Sequence, residues 1–188
     1  MGRLIVVQFI TLDGVVEDPD GSDGTAFGGW AMRYGPQAVA GDKFRLGPIL
    51  EHGILLFGRR TWQHFSTLWP ARSDPFSQKM NAAAKVVVTH GGVDAGEWAN
   101  SSRIPGSLAT WVHDASQTHD VVVIGSGSIV AQLQAAGLVD EYRLLTFPTA
   151  VGTGRRLYPD GVQLRLTAAE RVGPATLTMY STEDAAAV

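Results

Sequence analysis

Residues 121–142 read VVVIGSGSIVAQLQAAGLVDEY. Val121 to Ile124 form an apolar, β-branched run that suits a buried strand. The run meets Gly125 and Gly127 and then a helix-like pattern, predicted over Ser126 to Ala136 and closed by Gly137. A strand that ends in glycines and opens a helix presents unpaired backbone N–H groups and the positive end of the helix dipole to whatever lies in front. Ser126 and Ser128 add hydroxyl donors, so the stretch is a candidate anion cradle. A bare tight turn would use the same glycines.

The glycine fingerprint of a Rossmann unit would need a third Gly at position 130 and an acidic residue closing the next strand. Val130 stands at that position and no such acid follows. The junction also falls in the last third of the chain, whereas that fingerprint opens its unit.

Working outward, strands and helices alternate. Leu4 to Ile10 is predicted as a strand buried on both faces. Residues 11–35 contain Gly14, Gly21, Gly24, Gly28, Gly29 and Gly35 and read as one long loop, a candidate active-site flap. Pro36 to His52 is predicted as a helix kinked at Gly47 and Pro48, and Ile54 to Phe57 as a strand. Short helices follow over Arg60 to Phe65 and over Pro75 to Ala83 behind Asp74, then a strand over Lys85 to Thr89. Residues 90–106 read as loop and Ser107 to His119 as a helix capped by Ser107. Tyr142 to Phe147 is a further strand, and residues 163–181 are predicted as a hairpin turning at Gly173 and Pro174. The expected fold class is α/β, with a mostly parallel central sheet, helices on both faces and a C-terminal antiparallel hairpin. Residues 1–183 are expected to form a single domain, with 184–188 as a short tail.

A second strand-to-helix junction lies in FGRRTWQHF, residues 57–65. Here Gly58 is followed by two guanidiniums, Arg59 and Arg60, and by the Thr61 hydroxyl. Arginine forks match phosphate oxygens, although the same side chains could simply be solvated beside a helix start. Two such junctions together suggest a dinucleotide lying across the strand ends.

Composition narrows the classes. The net charge is −3 and the 15 Lys and Arg are scattered, which argues against a nucleic-acid surface. No Cys is present, excluding disulfides, thiolate zinc sites and a Cys nucleophile. The apolar run near the start is too short for a signal peptide and no window suits a spanning helix, so a cytoplasmic protein without membrane contact is expected. His52, His64, His90, His113 and His119 form no short ligand pair, and no metal is expected.

GRRTW after the second strand, a strand ending VVVTH, the late VIGSGSIV, and LVDEYRLLTFPTAVGTGRRLYP occur together in this order and spacing. With QFITLDGVVED at 8–18 they resemble the dihydrofolate reductase-like superfamily, in the branch of the C-terminal reductase domain of bifunctional riboflavin-biosynthesis enzymes, over nearly the whole chain. The resemblance implies a three-layer dihydrofolate reductase-like fold, NADPH as cofactor, a small-molecule substrate and often a homodimer. It implies that Gly58, Arg59, Arg60 and Thr61 hold the 2′-phosphate and pyrophosphate. Thr89 and His90 would lie beside the adenosine phosphate. Gly125, Ser126, Gly127, Ser128 and Ile129 would form the second pyrophosphate-binding turn.

The substrate side departs from the pattern. Where the riboflavin-pathway reductases commonly carry an acidic residue before the glycine turn, this chain has Ile124. Asp42, sixteen positions before Gly58, falls about where dihydrofolate reductases place a pterin-contacting helix carboxylate; an exposed helix Asp is the alternative. Asp13 in TLDG is the other acid near the sheet edge and could instead cap the turn at Gly14. Hydride transfer needs a dry pocket and a proton source, and no triad. The expected activity is an NADPH-dependent reduction of a small heteroaromatic or carbonyl compound under the 11–35 loop, where Phe27 and Trp30 could stack on a ring or, for Trp30, fill the core. The alternatives are a nucleotide-binding protein without turnover and a true dihydrofolate reductase. Gly152, Gly154, Arg155 and Arg156 form a small basic turn best read as a solvated loop.

Overall fold

A computed structural model describes residues 1–182. Glu183 and the expected tail at 184–188 lie outside the described residues. Eight strands are hydrogen-bonded into one mixed sheet in the order β4-β3-β2-β5-β1-β6-β8-β7. The fold is α/β, mostly parallel with an antiparallel C-terminal arm. The contacts cluster into two compact units, the first comprising Met1–Val6 and Arg45–Val139, the second Val7–Phe44 and the chain from Asp140 on. β1 (Leu4–Thr11) contributes to both; Leu4, Ile5, Val6 and Val7 are fully buried, as an apolar strand covered on both faces requires.

In the first unit, β2 (Ile54–Gly58), β3 (Ala84–Val88), β4 (Ser101–Arg103) and β5 (Val121–Ile124) run parallel. Gly58 of β2 pairs with Val88 of β3, and Leu56 with Val123 of β5, so three strands end along one edge. Two of the helices follow strong local signals. α3 (Pro75–Ala82) starts where the Asp74 carboxylate accepts the N–H groups of Phe76 and Ser77, with Pro75 in the first turn. α4 (Leu108–Ala115) starts at Ser107, whose Oγ accepts the Thr110 N–H at 3.3 Å. α2 (Arg59–Leu68) and α5 (Gly127–Ala135) begin directly behind β2 and β5 and bury Trp62 and Ile129, Val130 and Leu133 respectively.

β4 breaks the expectation that residues 90–106 are all loop. It is three polar residues long, and its partner β3 supplies the order: Lys85, 1 % exposed, sends Nζ to the carbonyls of Asn81, Ala83 and Ala99 and lies 4.5 Å from the centre of the Trp98 ring. Nothing in a local window announces such pairing.

The second unit contains β6 (Glu141–Phe147), β7 (Arg165–Val172) and β8 (Ala175–Ser181). β8 lies antiparallel between β6 and β7, the hairpin turning at Gly173 as expected. One face of β6 and β8 builds a core from Leu145, Phe147, Ala175 and Leu177 against Trp30, Ala31 and Ala38. Trp30 is fully buried there, its Nε1 donating to the Glu17 carbonyl at 2.9 Å; it fills the core and cannot stack on a ligand.

The helix expected over Pro36 to His52 is not formed. Only α1 (Pro36–Val39) and a 3-10 turn at Ile49–Glu51 are helical. Gly41 at φ +77° and Arg45 at φ +57° turn the chain into left-handed conformations that no right-handed helix accommodates, and Pro48 removes a donor.

Candidate functional site

Gly58 and Gly125 let the two strand-to-helix junctions touch. A Cβ on Gly58 would come within 3.3 Å of Ile129 Cδ1 and 3.5 Å of Ser126 Oγ. At Gly125, φ is +62° and a Cβ would approach Thr61 Cγ2 to 3.5 Å. Glycine is needed at this position for its conformation more than for space. Ser126 follows at φ 55°, ψ 50°, a left-handed pair that swings the chain from β5 into α5.

A hydroxyl then fastens the junctions together. Ser126 Oγ accepts the Gly58 N–H at 2.9 Å and donates to Thr61 Oγ1 at 3.0 Å. The two motifs, some 65 residues apart in sequence, are therefore one site.

Capping shows what that site can do. α3 and α4 are capped by the side chains of their own N-cap residues, whereas the N-cap residues of α2 and α5, Gly58 and Ser126, make no such bond to the helix they open, and Ser126 Oγ instead takes the Gly58 N–H. The leading N–H groups of a helix have no partner within it, and the dipole adds positive potential there. Two such ends side by side, with Arg59 and Arg60 opening α2, form a cradle suited to a polyanion; its lining residues are glycines and hydroxyls, as close approach by phosphates demands.

The other candidates occupy distinct places. Thr89 and His90 follow β3 at the same strand edge, with His90 exposed. Arg59 reaches toward them: its Nη1 donates to the Gly92 carbonyl at 2.8 Å and lies 3.4 Å from Thr89 Oγ1. Gly127 and Ser128 form the first turn of α5, while Ile129 is 2 % exposed, so its side chain serves packing and only its backbone belongs to the turn. Ile124, half-buried, ends β5 immediately before the cradle.

Both carboxylates lie in the second unit. Asp42 sits in irregular chain beyond α1, so the helix position that suggested a pterin-contacting acid does not exist. Asp13 accepts Thr11 Oγ1 at 2.5 Å, the Gly152 N–H at 2.7 Å and the Val151 N–H at 3.3 Å. The Thr11 hydroxyl first, then the Gly152 N–H, hold this carboxyl below its ordinary value, which suits a fastener and disfavours a proton donor.

Most of the 11–35 segment is loop, with Thr11 ending β1 and a 3-10 turn at Met32–Tyr34, and it is pinned. Leu12 N–H donates to Thr149 O, Val16 N–H to Arg155 O and Leu157 N–H to Gly14 O, lacing it to residues 149–157. Arg155 N–H donates to Glu17 Oε2, so the basic turn foreseen at 152–156 is the other half of this ladder. The buried Asp18 carboxylate accepts the N–H groups of Asp23 and Thr25 and the Thr25 hydroxyl. Burial pushes its pKa up, and these bonds together outweigh burial and hold it below the ordinary value.

The sequence did not reveal the seat of Arg59 on Gly92 or the Ser126 bridge. The glycines at 91 and 92 behind Thr89 and His90 were the available signal for the first.

Among the described residues, no helix is long and apolar enough to cross a membrane, and no cluster of His, Asp and Glu has the make-up of a metal site. Parallel strands run into two helix starts that a serine hydroxyl joins at one strand edge of an α/β protein. The chain belongs to the RibD C-terminal domain family, a reductase-related family whose pattern matches residues 3–178. Among solved structures, it is similar to a provisionally named riboflavin biosynthesis protein from Shewanella sp. PV-4, at 19 % identity and a TM-score of 0.69, over 95 % of this chain and 98 % of that one. At that identity the likeness speaks for the fold. No curated protein matches the chain.

Proposed function

We propose that the chain is an NADPH-dependent reductase of a small heteroaromatic or carbonyl compound, with residues 1–183 acting as one functional domain in the cytoplasm. The observation that carries the reading is the pair of glycine-led helix starts joined through Ser126, with two arginines at the mouth of one of them. Bound there, NADPH would supply the hydride. The backbone N–H groups of Gly127 and Ser128 and of the first turn of α2 would hold the pyrophosphate. Arg60, Thr61, Thr89 and His90 would face the adenylate end with its 2′-phosphate, and Ser126 would keep the two turns in register. Family membership supports the cofactor; charge, glycine placement and capping support these positions.

For the proton, Asp42 remains as a candidate, with bound water as the other source, since Asp13 is committed to the 151–152 turn. Stopped-flow or steady-state NADPH oxidation with a panel of pterins, pyrimidinones and quinones tests turnover. Saturable binding with no oxidation across the panel would favour a second reading, a nucleotide-binding protein without turnover. Ile124 gives that reading its support, because it puts an apolar side chain before the glycine turn.

A homodimer is part of the proposal. β7 forms the edge of the sheet and seven of its eight residues are exposed, Leu166 at 55 % among them, a surface that a second copy could cover. Sedimentation equilibrium would show a dimer, and a monomer at micromolar concentration would remove this part alone.

A further inference from the structure

Arg59 belongs to the proposed cofactor cradle, yet its side chain is already engaged. Nη1 donates to the Gly92 carbonyl at 2.8 Å and contacts Thr89 Oγ1 at 3.4 Å, and the same Thr89 hydroxyl accepts the Gly91 N–H at 3.1 Å. Gly91 completes the seat. A Cβ there would stand 2.8 Å from Arg59 Nη1, closer than any real contact of that kind, and 3.7 Å from Thr89 Oγ1. The guanidinium therefore spans from the start of α2 to the loop behind β3 and ties residues 89–92 to the cradle.

We propose that Arg59 is a positioning residue for cofactor selectivity. It holds the 89–92 loop so that Thr89 and His90 stand where a 2′-phosphate is distinguished from a free hydroxyl, and Gly91 leaves room for the strut, since a Cβ there would push the tip of the guanidinium aside. The proposal deepens the NADPH reading and rests on it. A guanidinium offers several donors in a fixed fork, so Nη1 can stay on Gly92 while another N–H serves a second acceptor. Lysine has one nitrogen on a flexible stem and cannot serve both, which makes Arg59→Lys an informative change rather than a conservative one.

The test compares the full-length chain with Arg59→Lys, Arg59→Ala and Gly91→Ala. Dissociation constants for NADPH and NADH are measured by tryptophan fluorescence, together with amide hydrogen exchange of residues 89–92 without cofactor. Gly91→Ala keeps every charge and removes only the room for the strut. The expected result is that Gly91→Ala and Arg59→Ala both lower the preference for NADPH over NADH by about tenfold, the equivalent of one charge-assisted hydrogen bond. Both also speed exchange at 89–92, and Arg59→Lys recovers little of either. A general loss of stability would weaken both cofactors together and leave their ratio alone. The proposal is overturned if Gly91→Ala leaves the ratio at its wild-type value, because Arg59 would then act only as a direct phosphate ligand. It is also overturned if exchange at 89–92 is the same in all four proteins. Failure of wild-type protein to bind NADPH would instead reject the cofactor reading, with the exchange data still reporting on the strut.

Discussion

Replacing Ser126 tests whether the two junctions are mechanically one. Its hydroxyl makes two short bonds, accepting the Gly58 N–H and donating to Thr61 Oγ1, with the Ile124 carbonyl a longer 3.4 Å away, and its backbone is left-handed. Each hydrogen bond contributes about 0.5–1.5 kcal/mol net, so Ser126→Ala should cost about 1–3 kcal/mol of folding stability. Ser126→Gly loses the same two bonds but relieves a left-handed strain of about 1–2 kcal/mol, part of which returns as the entropy of an added glycine. The glycine variant should therefore be the more stable of the two, by about 1 kcal/mol. Urea titration followed by tryptophan fluorescence resolves a difference of that size. NADPH binding should behave differently from stability: both variants lose the bridge, so both should bind roughly tenfold more weakly. If Ser126→Ala matched wild type in stability and affinity, the bridge would be incidental and the cradle would be two separate turns; a Ser126→Ala variant more stable than Ser126→Gly would refute the left-handed strain instead.

Further outcomes follow from other residues. Burial lowers the Lys85 pKa from 10.5 to about 8, so the unfolded chain binds the proton more tightly, and wild-type stability should rise between pH 7 and 9.5 by about 2 kcal/mol more than that of Lys85→Met in parallel urea titrations. Equal pH slopes for the two proteins would mean that the three carbonyls and the Trp98 ring keep Lys85 charged. Asp13 gives the same sign of pH slope, in the acid range, but from hydrogen bonds that favour its charged form rather than from a burial penalty. Its folded carboxyl lies below the ordinary 3.8, so its contribution is complete above that pH and is lost as pH falls through the lowered value; Asp13→Asn should flatten the acid limb of a thermal-melt profile. Gly28→Ala places a Cβ 2.1 Å from Asp18 Oδ2 and should destabilise the chain by about 1–3 kcal/mol while speeding exchange at residues 21–29, whereas the same change at Gly24, where a Cβ meets nothing within 4 Å, should leave the Asp18 bonds intact. Asp42→Asn should lower the rate of NADPH oxidation with little effect on NADPH affinity if Asp42 supplies the proton, and should change neither if water does.

What was legible in the sequence was local. Runs such as VVVI and ILLF, covered on both faces, declare buried strands by composition, and Asp74 with Pro75 or Ser107 declares a helix start because the cap is made by a neighbour in sequence. The glycines at 58 and 125 were also readable, since a strand-to-helix turn that must approach an anion leaves few other residues. Three features could not be read. The stretch around Gly41 and Arg45 has helix-like apolar spacing, but its left-handed residues are set by where the chain must go next. β4 consists of Ser101, Ser102 and Arg103, and it is a strand because β3 offers it a ladder and Lys85 secures the far side. The roles of Asp13 and Arg59 depend on partners 138 and 33 residues away, which sequence spacing does not reveal.

The central claim is that the fused helix starts bind a dinucleotide phosphate. Titrating the full-length chain with NADPH at low and moderate salt, with tryptophan fluorescence as readout and Arg60→Ala as comparison, tests it most directly. The account predicts saturable binding that weakens as salt rises, with Arg60→Ala costing about tenfold or more in NADPH affinity and much less in NADH affinity. Absence of saturation up to about 1 mM NADPH, or an Arg60→Ala variant indistinguishable from wild type, would contradict it.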